Sequence, residues 1–124
     1  IESKEGFDGG IDFTYNNKTY DIKTMGRETY PQDHYVNNLI AMQSDYNVDR
    51  YIFASINKLT VELIICGWID KQGFKDKAIF YPEGATRTRS DGTTFTTKAG
   101  LYEIKNSDLI RSNNLDQFIK QLND

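Results

Sequence analysis

The chain has a single cysteine and a single histidine, so one molecule can neither close an internal disulfide nor assemble a Cys/His zinc site. Cys66 is expected to be a small core residue in a reducing, cytoplasmic setting. Long apolar runs are also missing. The longest, Leu63 to Cys66, is strand-sized and far short of the ~18 residues of a membrane span, so no membrane partner is expected. Nor is there a large charge of one sign. Lys+Arg 15 oppose Asp+Glu 18 for a net charge of −3, which argues against a protein that works by coating nucleic acid. An enzyme whose carboxylates hold a metal beside a local basic surface remains compatible with that balance. The opening Ile1-Glu2-Ser3-Lys4 has neither an initiator Met nor a signal-peptide core, and a processed or truncated boundary is expected there. What is present, 124 residues with 38% hydrophobic and 13% aromatic content, suits one ordinary folded domain.

Period-two patterning dominates the first quarter. Ile11, Phe13 and Tyr15 alternate with Asp12 and Thr14, and Tyr20 and Ile22 alternate with Asp21 and Lys23, which predicts two antiparallel strands. Asn16-Asn17-Lys18 between them suits a tight hairpin turn. Asp33 is expected to cap an amphipathic helix running to about Tyr46, with Tyr35 or Val36, Leu39, Ile40 and Met42 on its buried side. A second strand pair is predicted over Arg50 to Ile56 and Leu59 to Trp68, turning at Asn57-Lys58. Asp70 can cap a short helix reaching Phe74 or Lys77. After a loop at Tyr81-Pro82-Glu83-Gly84, Thr86 to Thr97 reads as an exposed hairpin around Ser90-Asp91-Gly92, and Gly100 to Lys105 as a strand. Leu115, Phe118, Ile119 and Leu122 stand at helical spacing, so an amphipathic helix closes the chain. The order implies one mixed α/β or α+β domain around a single sheet, 1–124.

Chemistry concentrates in the first hairpin. Asp21 and Lys23 are two apart on a strand and share a face, and the turn brings Asp12 of the preceding strand toward them, opposite the side carrying Ile11 and Phe13. Two converging carboxylates make a hard-oxygen site of the kind Mg²⁺ prefers, completed by waters and phosphate oxygens. Asp12 and Asp21 would hold the metal, with the Ile22 carbonyl as a further ligand. Lys23 is placed to orient or help deprotonate an attacking water and to stabilise charge on a phosphate. The competing interpretation is a solvated cross-strand salt bridge of little energetic consequence.

The segment from Gly9 to Lys23 resembles the signature of the PD-(D/E)XK superfamily of restriction-endonuclease-like nucleases, in which an Asp precedes a (D/E)-x-K triplet across a β-hairpin. Val61-Glu62-Leu63, Gly67-Trp68-Ile69-Asp70, Phe74, Lys77-Ala78 and Phe80 are similar to small phage and prophage members, extending the resemblance over most of 6–110. It implies a central mixed sheet flanked by helices and a Mg²⁺- or Mn²⁺-dependent deoxyribonuclease acting through Asp12, Asp21 and Lys23. Two features depart from the family pattern: no Pro precedes Asp12, and little sequence is left for an opening helix. Glu2 reads as an exposed terminal charge, or as the remnant of an acidic ligand from that helix.

The triplet alone is not diagnostic. With 18 acidic residues and ten lysines, about 1.5 such triplets arise by chance. Three occur: Glu2-Ser3-Lys4, Asp21-Ile22-Lys23 and Glu103-Ile104-Lys105. The last is disfavoured because Asp91, its upstream acid, falls in a turn where local backbone hydrogen bonding is expected. Arg87, Arg89 and Lys98 form the best basic cluster and are candidate DNA-backbone contacts, and Gln43 is a candidate polar residue facing the site. His34 reads as a surface histidine, with a phosphate contact the alternative; Tyr30 and Tyr35 as packing or edge aromatics, with stacking on a base the alternative; and Trp68 as a core or edge aromatic. DNA is the expected partner and a homodimer is compatible. The alternatives are a non-catalytic accessory protein of the same fold that binds nucleic acid or protein, and a nuclease acting on RNA or branched DNA.

Overall fold

Two asparagines set the first turn. Asn16 and Asn17 have φ of 50° and 65°, the left-handed pair that a two-residue hairpin requires and that asparagine tolerates. They join β1 (Phe13–Tyr15) to β2 (Lys18–Arg27) in the antiparallel sense, as the alternation predicts. The computed structural model describes residues 11–40, 47–89 and 91–123. In it β4 (Arg50–Asn57) lies parallel to β2, and β5 (Leu63–Asp70) returns antiparallel to β4, giving a four-stranded sheet in the order β1-β2-β4-β5.

The segment between β2 and β4 differs from its sequence pattern. Instead of the helix expected over 33–46, Val36–Ile40 is a strand, β3; 41–46, with Met42, lie outside the described residues. Val36, Leu39 and Ile40 have helical spacing, yet β3 hydrogen-bonds antiparallel to β9 (Leu101–Lys105). Leu39 is then buried while Ile40 is exposed, the period of a strand. The sequence misleads because the inward position before Leu39 is polar. Asn37 is fully buried and donates to the Ile104 carbonyl (3.3 Å) and to Asn106 Oδ1 (2.8 Å).

A three-stranded sheet, β3-β9-β6 with β6 at Ile79–Tyr81, faces the first across the main core of Leu39, Val48, Tyr51, Phe53, Ile69, Phe74, Ile104 and Leu109. The expected single sheet is thus two, plus the hairpin of β7 (Thr86–Thr88) and β8 (Thr94–Thr96). Phe74 enters this core from α1 (Lys71–Lys77), whose N-cap Asp70 accepts from Gly73 N at 2.7 Å as expected. On the opposite face α2 (Leu115–Leu122) packs Phe118 and Leu122 on Tyr20, Ile52 and Trp68. Arg50 locks that contact: it donates to Tyr20 Oη (3.0 Å) and to the Leu122 carbonyl (3.4 Å), and lies 4.4 Å from the Trp68 ring centre. The result is a mixed α+β domain in which strand predominates. Among the described residues no helix is long and apolar enough to cross a membrane.

Gly67 sits where the β4–β5 register slips after Phe53. A Cβ there would lie 2.7 Å from the Ile110 carbonyl oxygen and 2.8 Å from Leu109 Cβ, and neither can swing aside as a flexible side chain would. Gly67→Ala is therefore expected to lower unfolding free energy by about 2 kcal/mol, read as a reduced urea midpoint. An unchanged midpoint would mean that the Leu109–Ile110 segment yields without cost.

Candidate functional site

The first hairpin carries an irregularity next to its acidic residues. Phe13 is the residue in register with Tyr20, yet Asp12 N also donates to the Tyr20 carbonyl at 2.8 Å. Asp12 precedes β1, so this bond is one residue off the β1–β2 register and the Asp12 side chain leaves the alternation of the strand. The alternation read from the sequence ends there. Phe13 stacks on Tyr20 at 4.7 Å on the α2 side, whereas Ile11 packs into the core between the sheets, so the two do not share a face.

From this position Asp12 reaches across β2. Its Oδ2 accepts from Ile22 N at 2.7 Å, and its carboxyl is near enough to help raise the pKa of Asp21. Asp21 is only 3% exposed, while Asp12 is open to solvent. Lys23 Nζ stands 3.3 Å from Asp21 Oδ2. Because the N–H and C=O of one strand residue point the same way, the Ile22 carbonyl faces the same edge of β2 as Asp12. The structure therefore brings the side chains of Asp12, Asp21 and Lys23 to one edge of β2.

The Asp21 carboxyl is held in surroundings that disfavour its charge. Burial above all, then the contact with Asp12, pushes the Asp21 carboxyl from 3.8 up to about 7 against the opposing pull of Lys23. Either a proton or a metal ion can relieve two adjacent carboxylates. The two carboxyl groups are hard oxygen donors, and among the described residues no group of three or more His, Cys, Asp or Glu that could hold a metal ion is found. Oxygen donors of this kind suit Mg²⁺ or Mn²⁺, which keep several waters and accept one or two carboxylates.

A stability consequence follows with a definite sign. In the metal-free protein the folded state holds the Asp21 proton up to about pH 7, whereas the unfolded chain releases it near 3.8. Stability from this group is complete below about pH 4 and is lost as pH rises toward 7, by about 4 kcal/mol in all. Unfolding of wild type and Asp21→Asn in EDTA at pH 5 and pH 8 checks this: the gap between the two proteins should widen in favour of the variant at pH 8.

The other candidates separate clearly. The rival triplet is committed elsewhere: Glu103 is gripped by Arg87 through two bonds of 3.0 and 2.9 Å, and Arg87 also lies 3.8 Å from the Tyr81 ring centre. Asp91 accepts from Thr93 N and Oγ1, the local turn bonding expected of it. Arg87 thus anchors the β7–β8 hairpin, while Arg89 is exposed with its guanidinium 4.7 Å from the Phe95 ring centre, and Lys98 is exposed. Gln43 and Glu2 lie outside the described residues. His34 is exposed and edge-on to Tyr35; Tyr30 is exposed; Cys66 packs against the core. Trp68 is buried, with its Nε1 donating to Gln121 Oε1 at 3.0 Å.

Sequence patterning missed a cleft of about 520 Å³ beside this hairpin, lined by Met25, Arg27, Tyr35, Asn38, Arg89 and Phe95 among others. Lys23, Met25 and Arg27 alternate along one face of β2, so the cleft begins where the acidic site ends. Period two, extended past Lys23, would have flagged Arg27. Asn38 was hidden by the helical assignment. Comparison of the chain with protein-family models, curated proteins and solved structures returned no match.

Proposed function

We propose that the protein is a metal-dependent nuclease that hydrolyses phosphodiester bonds in DNA, built on a restriction-endonuclease-like variant of its mixed α+β fold. The observation that carries this proposal is the pairing of a buried Asp21 with Asp12 at the end of the first hairpin, flanked by Lys23 at 3.3 Å. Like charges adjacent across strands destabilise a sheet, and a structural salt bridge would need only one of them. Asp12, Asp21 and the Ile22 carbonyl would hold Mg²⁺ or Mn²⁺. When bound, such an ion neutralises charge on the scissile phosphate and makes water a better nucleophile. Lys23 donates hydrogen bonds toward the oxygens on which charge develops and orients the attacking water for in-line displacement. Asp12 also accepts from Ile22 N, so its carboxylate is fixed before substrate arrives and costs little reorganisation.

The test is a cleavage panel of supercoiled, linear, single-stranded and branched DNA, with RNA alongside, in Mg²⁺, Mn²⁺ or EDTA. Metal-dependent cutting of one or more DNA forms is expected. Cutting of RNA alone would move the substrate class, and clean binding without cutting in any lane would replace the nuclease by a nucleic-acid-binding protein of the same fold.

A further inference from the structure

The cleft beyond Lys23 has a chemistry of its own. Beside Lys58, Glu28, Asp91 and the Arg87-paired Glu103, two guanidinium groups line it, each laid on an aromatic ring: Arg27 at 4.6 Å from the centre of Tyr35, and Arg89 at 4.7 Å from the centre of Phe95. They come from different elements, β2 and the β7–β8 hairpin, and both are fixed. Arg27 donates to the Val36 carbonyl (2.7 Å) and to Ser55 Oγ (3.3 Å); Arg89 donates to Thr93 Oγ1 and the Thr94 carbonyl (both 3.3 Å). Between these elements stands Asn38, whose Oδ1 is buried without a hydrogen-bond partner. An acceptor left unsatisfied in a cleft costs free energy that a ligand bringing an N–H donor recovers.

Flat cations backed by rings suit a planar, electron-rich group attached to a phosphate, and the orphan acceptor suits a base N–H or exocyclic amine. The volume, about 520 Å³, lies in the range of small-ligand pockets and admits a base only if it has left its stack. Arg27 is four residues, roughly 13 Å, along the same strand face from Lys23, so a strand cut at Asp21 and Lys23 can continue into the cleft. We propose that this cleft binds an unpaired nucleotide adjoining the scissile phosphate, making single-stranded or frayed DNA the preferred substrate over continuous duplex. The proposal rests on the nuclease assignment for the position of the cut, but not for binding.

Binding is read by fluorescence anisotropy in EDTA with the Asp21→Asn protein, using a labelled single-stranded oligonucleotide and the same sequence as a blunt duplex. The single strand should bind at least tenfold tighter than the duplex. Adding Asn38→Ala, or Phe95→Leu, which keeps apolar volume on an exposed hairpin, should each weaken single-strand binding about tenfold and leave duplex binding within twofold. Equal binding of duplex and single strand, or single-strand binding indifferent to both changes, would overturn the proposal. The two assignments fail separately. A wild-type protein that binds single strands through Asn38 and Phe95 but never cuts removes the nuclease and keeps the cleft, and one that cuts while its binding ignores them does the reverse.

Discussion

Asp21→Asn is expected to abolish metal-dependent cleavage, by a factor on the order of 10³ or more, while making the metal-free protein more stable at pH 8. The two effects have one cause. Asp21 is buried beside Asp12, so its charge is unfavourable to the fold, and on the proposed mechanism that charge is used when a metal ion closes the pair. The amide keeps the shape, and its oxygen can still accept from Lys23. A stabilisation of about 2 to 4 kcal/mol at pH 8, disappearing toward pH 4, is expected in EDTA. A structural salt bridge between Asp21 and Lys23 makes the opposite prediction, because the variant would then lose an interaction. Wild-type cleavage by the variant would refute the catalytic assignment.

Lys23→Ala should lower turnover by about 10²- to 10⁴-fold with Mn²⁺ affinity changed only a few-fold. Its ammonium is partly exposed, 3.3 Å from Asp21, and is not one of the oxygen donors. Removing it takes away a hydrogen-bond donor to substrate and leaves the ligands in place. It also removes a positive charge that competes with the metal for Asp21, so affinity should hold or rise slightly. Single-turnover rates at saturating Mn²⁺, with affinity measured separately, distinguish the two contributions. An unchanged rate would reduce Lys23 to a partner for a surface charge.

Local patterning made much of this legible. The Asn16-Asn17 turn, the alternation through β2, the Asp70 cap and the spacing of Phe118 and Leu122 each depend on neighbours in the chain, and each has its expected form. Asp12, Asp21 and Lys23 could be grouped because a hairpin imposes their proximity. What escaped depends on distant partners. Val36 to Ile40 has helical spacing, but β9 supplies a ladder, and the Ile104 carbonyl and Asn106 make a buried Asn37 acceptable. The end of the β1–β2 ladder before Phe13 has no local sequence mark, so the side of Ile11 could not be read. Arg87 looked like a phosphate contact as long as Glu103 was distant in sequence, and only the fold brings them to 2.9 Å. The cleft escaped for the same reason, since β2, β3 and the β7–β8 hairpin meet there from three separate stretches.

The claim on which the rest depends is that Asp12 and Asp21 form a divalent-cation site. Calorimetric titration of the metal-free protein with Mn²⁺ at pH 7.5 tests it without any nucleic acid. A saturable site in wild type that is lost in Asp21→Asn and retained in Lys23→Ala is the expected result. No saturable binding in wild type, or an identical isotherm in Asp21→Asn, would contradict it.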